Sequence, residues 1–186
     1  MKAVVYNKGK TPTAFEYCEV EKPTPQKDEV LVKVHAVSLN AADYRSMRMG
    51  MIPKHRIFGA DISGTIEAVG SDVTTYKPGD TVFGDLADHG FGGLAEFATA
   101  PLNLIARKPA GVSHELAATL PIAALTALQA LREKGEVEAG HKVLIYGAGG
   151  GVGNFAVQLT KYYGATVTAV CGPHNVELVR SLGADQ

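Results

Sequence analysis

The segment with the clearest chemical signal, Val143–Leu159, reads as a strand, a glycine-rich turn and a helix. Residues 143–146 are apolar or aromatic and predict a strand buried on both faces. Small turn residues let the backbone approach a pyrophosphate, whose charge is attracted by the free N–H groups at a helix start. Counted from Ala148, the pattern is A-x-G-x-x-G. The segment therefore predicts a dinucleotide site. The turn residues expected to hold it are Ala148, Gly150, Gly151, Val152 and Gly153.

The chain that follows the next predicted strand, Thr166–Val170, bears on the choice of dinucleotide. An NAD site usually has Asp or Glu about 20 residues beyond the glycines, where it holds the ribose 2′-hydroxyl. Here residues 171–175 read Cys-Gly-Pro-His-Asn and contain no carboxylate. A 2′-phosphate would be tolerated, so NADPH is favoured over NADH. The residues expected near it are Gly172, His174, Asn175 and Arg180.

The elements that position these residues divide the chain into two parts. The first part is β-rich, and its short strands with regular turns predict a small barrel or sandwich. Its expected strands are Ala3–Tyr6, Glu29–Ala36, Gly64–Val69, Thr81–Phe83 and Leu94–Ala98. After Pro109 helical patterns begin, with Ser113 as a predicted N-cap, an interruption at Pro121 and an end near Gly135. The fold class is therefore α/β with a β-rich N-terminal part.

The composition limits the classes of partner. The 186 residues include 18 basic and 19 acidic side chains, a net charge of -1, which does not favour nucleic acid or an anionic membrane as a partner. No apolar run approaches the length needed to span a membrane. The two cysteines, Cys18 and Cys171, fit a reducing compartment. We expect a cytoplasmic protein with a small-molecule partner.

Three stretches of the first part, 59–70, 76–82 and 92–97, precede Leu125–Leu128 and the glycine-rich turn. In this order they resemble the medium-chain dehydrogenase/reductase superfamily. The resemblance implies a GroES-like catalytic domain, residues 1–112, followed by residues 113–186 as a partial Rossmann (doubly wound) NAD(P)-binding domain. It also implies an active site with the nicotinamide in the cleft between the two domains.

Zinc is not expected, although part of this superfamily depends on it. Zinc requires thiolate, imidazole or carboxylate ligands at tetrahedral spacing. Where zinc-dependent members have a cysteine three residues before an aspartate, this chain has Asn40 before Asp43. Ala60 replaces the histidine of their Gly-His-Glu motif, and the four-cysteine structural lobe is missing. The six histidines show no paired ligand spacing, and we expect them to be surface or capping residues.

The remaining pattern resembles the zinc-free NADPH:quinone oxidoreductase branch. In such enzymes the cofactor carries the chemistry, and the protein positions a conjugated acceptor that takes hydride with little help. The resemblance implies that Asn40 faces the nicotinamide and substrate, that Tyr44 lies near the reacting groups, and that Thr126 bonds the cofactor carboxamide or ribose. Asp43 and Asp61 are expected to be structural, with Asp61 satisfying the turn at Gly59. The acceptor would be a quinone, an enone or an aldehyde.

Alternative functions remain open on the sequence alone. One is an alcohol dehydrogenase-like enzyme acting on aldehydes or alcohols, and another is a non-catalytic NADPH-binding or structural protein of the same fold. The chain stops at Gln186, where a third Rossmann strand is expected, which indicates a fragment or a truncated gene product. We therefore expect the 186-residue chain by itself to be inactive and to form homo-oligomers.

Overall fold

A computed structural model describes residues 1–7, 9 and 14–186. They form two compact units, Met1–Pro121 and Ile122–Gln186. None of the helices in the described ranges is long and apolar enough to cross a membrane.

In its described residues, the first unit contains seven strands, two short α-helices and three 3₁₀ turns. Five strands form an antiparallel sheet in the order β6-β3-β4-β5-β7, and β1 pairs with β2 in a separate hairpin. The strands are β1 Lys2–Tyr6, β2 Phe15–Glu19, β3 Glu29–Ser38, β4 Asp61–Val69, β5 Thr81–Asp85, β6 Phe97–Pro101 and β7 Ile105–Arg107. The helices are α1 Ala41–Arg48 and α2 His114–Ala118.

The core of this unit explains why β3 and β4 are its central strands. Val30, Val32, Ile62 and Ile66 are at most 1% exposed and belong to one apolar cluster. Burial of such side chains stabilises the fold by about 25 cal/mol per Å² of apolar surface. Two register shifts between β3 and β4 bend the pair, as bulges do. The sheet ends where β3 runs into α1, next to the start of β4.

The strand predictions hold for the main elements but not in every detail. The strand expected at Leu94–Ala98 begins at Phe97 and continues to Pro101. Residues 94–96 are not part of it, because they contact β1 only through isolated backbone hydrogen bonds and a single β-bridge at Ala95. The expectation did not include β2 or β7. β2 is mostly exposed, and β7 is only three residues long, so neither has a clear alternating pattern.

The helix predicted after Ser113 forms as α2, with the Ser113 side chain accepting a bond from Leu116 N at 3.1 Å. It groups with the first unit, because Ala117 and Ala118 are buried and the helix packs on β3, β4 and β5. The compact units therefore divide at 121/122, whereas the predicted domains divide at 112/113. The assignment of these parts to a GroES-like and a partial Rossmann domain stays a prediction.

The second unit has a two-stranded parallel sheet with helices packed on it. β8 Lys142–Tyr146 pairs with β9 Thr166–Val170. The helices are α3 Pro121–Leu128, which continues as a π-helical segment Gln129–Lys134, then α4 Gly151–Tyr162 and α5 Val176–Ser181. The core includes Ile145, Val157, Val167 and Val179. α2 ends at Ala118 and Pro121 begins α3, so the predicted interruption at Pro121 separates the two helices, in keeping with the preference of proline for the first helical turn.

The expectation that β8 is buried on both faces is wrong. Ile145 is 7% exposed, but Leu144 and Tyr146 are 67% and 87% exposed. Successive side chains of a strand point to opposite faces, and α4 and α5 cover the face that carries Ile145. The opposite face of β8 is open within this unit.

Candidate active site

Asn40 lies between the end of β3 and the start of α1, with its side chain held by polar neighbours. Its Nδ2 donates to Asp61 Oδ2 at 2.9 Å and to Ser38 Oγ at 3.2 Å. Ser38 Oγ in turn donates to Asp61 Oδ2 at 3.4 Å. Ser38 is the last residue of β3 and Asp61 is the first residue of β4. The two are partners in the β3–β4 pairing, so both lie at the end of the sheet where Asn40 follows β3. The amide of Asn40 is therefore fixed by a fully buried carboxylate.

The backbone around Asn40 is held by a second carboxylate. Asp43 is 5% exposed and accepts bonds from Asn40 N at 2.7 Å and from Gly59 N at 3.0 Å. Gly59 has a φ of +96°, and an added Cβ would lie 2.7 Å from Leu94 N, so only glycine fits there. We expected Asp61 to satisfy this turn. The structure instead gives that role to Asp43, because α1 carries its side chain toward Gly59.

Other charged groups lie near these carboxylates. Asp85 is directly opposite Asp61 across the β4–β5 pair. Burial raises the pKa of Asp85; its bond from Ala87 N opposes this, and the negative charges of Asp88 and Asp43 add to the rise. This end of the sheet therefore concentrates acidic side chains around the half-buried amide of Asn40.

The surroundings of Tyr44 and the side chains available to a metal ion bear on two further predictions. Tyr44 is 47% exposed rather than packed in the core, with the Arg48 guanidinium 5.7 Å from its ring centre.

Among the described residues, no three His, Cys, Asp or Glu side chains are arranged to hold a metal ion. Both oxygens of Asp43 already accept bonds from backbone amides. These side chains do not fit a zinc site, and metal independence stays a prediction.

The glycine-rich turn connects β8 to α4 in the second unit. Gly147 has a φ of +79°, and the amides of Gly147 and Ala148 donate to Val170 O at 2.9 and 3.0 Å. The turn is thus tied to the end of β9. Gly150 is the N-cap of α4 and has no side chain to cap it, so the first amides of the helix are left for another partner.

Two glycines of the turn are required by close packing. A Cβ on Gly153 would lie 2.2 Å from Gly147 O and 2.7 Å from Ala148 Cα. A Cβ on Gly149 would lie 2.5 Å from Asn175 Nδ2. Ala148 is fully buried, whereas Gly150, Gly151 and Val152 are exposed. The residues present fit a pyrophosphate, because the exposed positions are the ones whose amides begin α4.

Thr126 lies on α3, in the same unit as this turn. Ala123, one turn earlier on the same helix face, is the nearest neighbour of Gly151, 3.8 Å from the position of an added Cβ. The Thr126 hydroxyl donates to Ile122 O at 2.6 Å and is exposed. It can therefore act only as an acceptor toward a ligand while that bond is made.

The segment after β9 is brought to the turn only in part. Asn175 packs against Gly149: its Nδ2 lies 2.5 Å from the position that a Cβ on Gly149 would occupy. Gly172 and His174 are exposed, and a Cβ on Gly172 would have no heavy atom within 4 Å. Arg180 lies on α5 and is paired with Glu177 at 3.6 Å. The sequence placed Gly172, His174 and Asn175 correctly after the strand, but it did not show the contact between Asn175 and Gly149.

Two histidines of the first unit have more specific contacts than the surface or capping roles we expected. His114 Nδ1 lies 2.8 Å from the fully buried Ser63 Oγ, and its ring centre is 4.6 Å from that of His35. Burial lowers the pKa of His114, and the charges of His35 and Lys108 lower it further. The sequence missed this cluster because 51 residues separate Ser63 from His114.

The chain is similar to known proteins in both sequence and fold. The family described as alcohol dehydrogenase GroES-like domain matches residues 26–110. A chloroplast envelope quinone oxidoreductase homolog from Arabidopsis thaliana is 43% identical over 100% of this chain and 60% of its own length. A mitochondrial NAD(P)H oxidoreductase from Homo sapiens is 40% identical over 85% of this chain and 45% of its own length.

A solved structure, the quinone oxidoreductase from Coxiella burnetii, matches with a TM-score of 0.89 and 34% identity, covering 100% of this chain and 61% of that one. The chain thus spans about 60% of the length of the quinone oxidoreductases it matches. Residues 26–110 match the alcohol dehydrogenase GroES-like domain family, and the whole chain is similar to quinone oxidoreductases, which supports the resemblance to the quinone oxidoreductase-like branch of the medium-chain dehydrogenase/reductase superfamily.

Proposed function

We propose that the protein carrying this sequence is an NADPH-dependent oxidoreductase that transfers hydride to a quinone or to an activated alkene or carbonyl without zinc. The observation that carries the proposal is the turn Gly147–Gly153, whose close packing leaves the first amides of α4 exposed. The names of the relatives, quinone oxidoreductase and NAD(P)H oxidoreductase, support the same reaction class.

The roles of the residues follow from their hydrogen-bonding capacity. Bound NADPH would supply the hydride. The amides of Gly151, Val152 and Gly153 would bind its pyrophosphate, with the exposed start of α4 providing a favourable dipole. Thr126 would accept a bond from the carboxamide or ribose, since its own hydrogen goes to Ile122 O. Asn40 would orient the nicotinamide or acceptor, and Tyr44 would deliver a proton to the reduced product.

The choice of NADPH over NADH is supported by the residues after β9. Gly172 and His174 are exposed, and residues 171–175 contain no carboxylate that would repel a 2′-phosphate. His174, Asn175 and Arg180 remain the proposed contacts for that phosphate. Glu177 is the first acidic residue after this segment, and it is paired with Arg180.

A titration of both reduced cofactors, followed by their fluorescence, tests this choice. The parent protein should bind NADPH more tightly than NADH. Gly172→Asp should reverse the preference by repelling the 2′-phosphate, with an effect on the order of tenfold or more. A Cβ added at this exposed position has no heavy atom within 4 Å, so the variant should fold normally. Gly172→Ala is the matched control and should keep the parent preference. Equal dissociation constants for the two cofactors in the parent would refute the proposal.

Metal independence separates this function from that of a zinc alcohol dehydrogenase. Chelators should leave the melting temperature and any quinone reduction unchanged, because Asn40 and Ala60 stand at the ligand positions of zinc enzymes. Stoichiometric zinc that is lost together with activity would favour the alcohol dehydrogenase alternative. Cofactor binding without reduction of any quinone, enone or aldehyde by the protein would favour a non-catalytic role.

A further inference from the structure

Asp61 is an acidic residue in a place where a carboxylate is costly. It is 0% exposed, and removing a carboxylate from water without compensating bonds is strongly unfavourable. Its Oδ2 receives bonds from Asn40 Nδ2 and Ser38 Oγ. The residue is therefore joined to the side chain that we propose to face the reacting groups.

This contact determines which end of the Asn40 amide faces outward. In the structure the NH₂ end of the amide faces Asp61, which is the arrangement that an ionised carboxylate, able only to accept hydrogen bonds, requires. Turning the amide by 180° would place Oδ1 against the carboxylate, with two acceptors in contact. The second hydrogen on Nδ2 goes to Ser38 Oγ at 3.2 Å, and Ser38 gives its own hydrogen to Asp61. Both donor hydrogens of Asn40 are thus used inside the protein.

Oδ1 of Asn40 faces the backbone N–H of Asp43 in the capping box of α1, which leaves one of its two lone pairs for another donor. We propose that Asp61 is a positioning residue that fixes Asn40 as a hydrogen-bond acceptor, with this remaining lone pair of Oδ1 presented to an N–H or O–H group of the ligand. The proposal rests on the proposed function insofar as that ligand is the nicotinamide carboxamide. It has a chemical consequence: Asn40 does not donate a bond to the oxygen that gains negative charge when the acceptor takes hydride. Asp43 has a separate task, since it holds the backbone of Asn40 and not its side chain.

The orientation of the amide can be measured without any turnover. In protein labelled with ¹⁵N-asparagine, the Asn40 side-chain signal is identified by its loss in Asn40→Leu. Its NH₂ protons should exchange slowly with water in the parent. Asp61→Leu, which removes the acceptor at similar volume, should accelerate that exchange at least tenfold. Ser38→Ala is the matched control and should change it less, because Asp61 remains. Unchanged exchange in a folded Asp61→Leu protein would overturn the proposal.

The acceptor role is tested with a pair of cofactors that differ in one donor. NADPH has a carboxamide N–H, and its 3-acetylpyridine analogue has none. The parent should bind NADPH about five- to tenfold more tightly, the range expected for one hydrogen bond. Asp61→Asn keeps the shape of the site but lets either end of Asn40 face residue 61, so this ratio should fall at least threefold. Ser38→Ala should keep the ratio within about twofold of the parent.

The outcomes separate the two proposals. If neither nucleotide binds the parent, the proposed function fails, while the exchange measurement still decides the orientation of Asn40. If NADPH binds but the ratio is the same in the parent and in Asp61→Asn, the acceptor role is overturned and the proposed function stands. If Asp61→Leu does not fold, which its melting curve reports, the exchange measurement is made on Asp61→Asn. In Asp61→Asn, side-chain NH₂ protons of Asn40 that match the parent in both chemical shift and exchange rate would overturn the proposal.

Discussion

At the scale of single residues, the candidate site depends on a few positions where the residue type has a specific structural role. Gly153 is one, because the start of α4 approaches the turn at Gly147 so closely that a Cβ cannot be placed between them. Asp61 is another, because an acceptor-only group there decides the orientation of Asn40. Gly172 is the opposite case: it is exposed and open, so its replacement changes charge without changing packing.

Gly153→Ala should destabilise the second unit by roughly 1–3 kcal/mol, the range for inserting atoms into a well-packed region. The reason is the 2.2 Å separation between the added Cβ and Gly147 O, which neither backbone segment can easily increase. Urea unfolding followed by far-UV circular dichroism would measure the loss. Gly172→Ala, at a position with a φ of -69° and no neighbour within 4 Å, serves as the control and should change stability by less than about 0.5 kcal/mol. Similar values for the two variants would contradict the close packing.

At the scale of elements, the contacts at helix starts connect the site to the rest of each unit. α1 is tied to the segment before β4 through Asp43 and Gly59, and α2 is tied to β4 through His114 and Ser63. In the second unit the turn before α4 is tied to the end of β9 at Val170. Each of these contacts joins an element end to a distant strand, so the elements are positioned by a few polar bonds in addition to apolar packing.

The attachment of α2 predicts a pH dependence of stability. Burial, His35 and Lys108 lower the pKa of His114 below the usual value of 6.5, and burial with Lys54 lowers that of His89 although Glu29 opposes it. A histidine with a lowered folded-state pKa binds its proton less readily in the folded state. Its contribution to stability is therefore fully present above about pH 6.5 and declines as the pH falls through that value toward the folded-state pKa.

The measurement is the free energy of unfolding between pH 8 and pH 5. It should fall in the parent, and the fall should be smaller in His114→Gln, which keeps a polar side chain but cannot be protonated. His141→Gln, a substitution of an exposed histidine, is the control and should follow the parent. A parent protein that becomes more stable toward pH 5 would contradict the lowered pKa of these histidines.

At the scale of the whole molecule, the second unit has one sheet face that its own elements do not cover. Leu144, Tyr146 and Val170 are exposed on β8 and β9. Contiguous apolar surface of this kind marks contact sites in proteins of this size, and free strand edges offer N–H and C=O groups to other chains. The homo-oligomer expected from the sequence stays a prediction. The cytoplasmic location also stays a prediction, since the Arabidopsis and human relatives are chloroplast and mitochondrial proteins.

The 186-residue chain should self-associate at micromolar concentration, which light scattering after size-exclusion chromatography would show as a mass above 19.6 kDa. Leu144→Lys should shift the chain toward the monomer, because it places a charge on the exposed face. Leu116→Lys changes an exposed leucine of the first unit and serves as the control. A parent chain that stays monomeric across this concentration range would show that the open face is not an association site.

The sequence by itself determined much of the fold and part of the site. The strand from Thr166 to Val170 and the cap at Ser113 form as predicted, because each depends on residues within a few positions of one another. Ala148, Gly150 and Gly153 also lie between β8 and α4, as the pattern predicts: the first is buried, the second is the N-cap, and the third is required by packing. Their role in binding a dinucleotide stays a prediction.

Only the tertiary structure decided the contacts between distant segments. The pairing of Ser38 with Asp61, the bond from Gly59 to Asp43, and the packing of Asn175 on Gly149 each join residues 16–26 positions apart. The sequence pattern named most of these residues but assigned the turn at Gly59 to Asp61 instead of Asp43, since both are aspartates near the same turn. That choice depends on where α1 and β4 meet in space, and so does the direction in which Asn40 presents its amide.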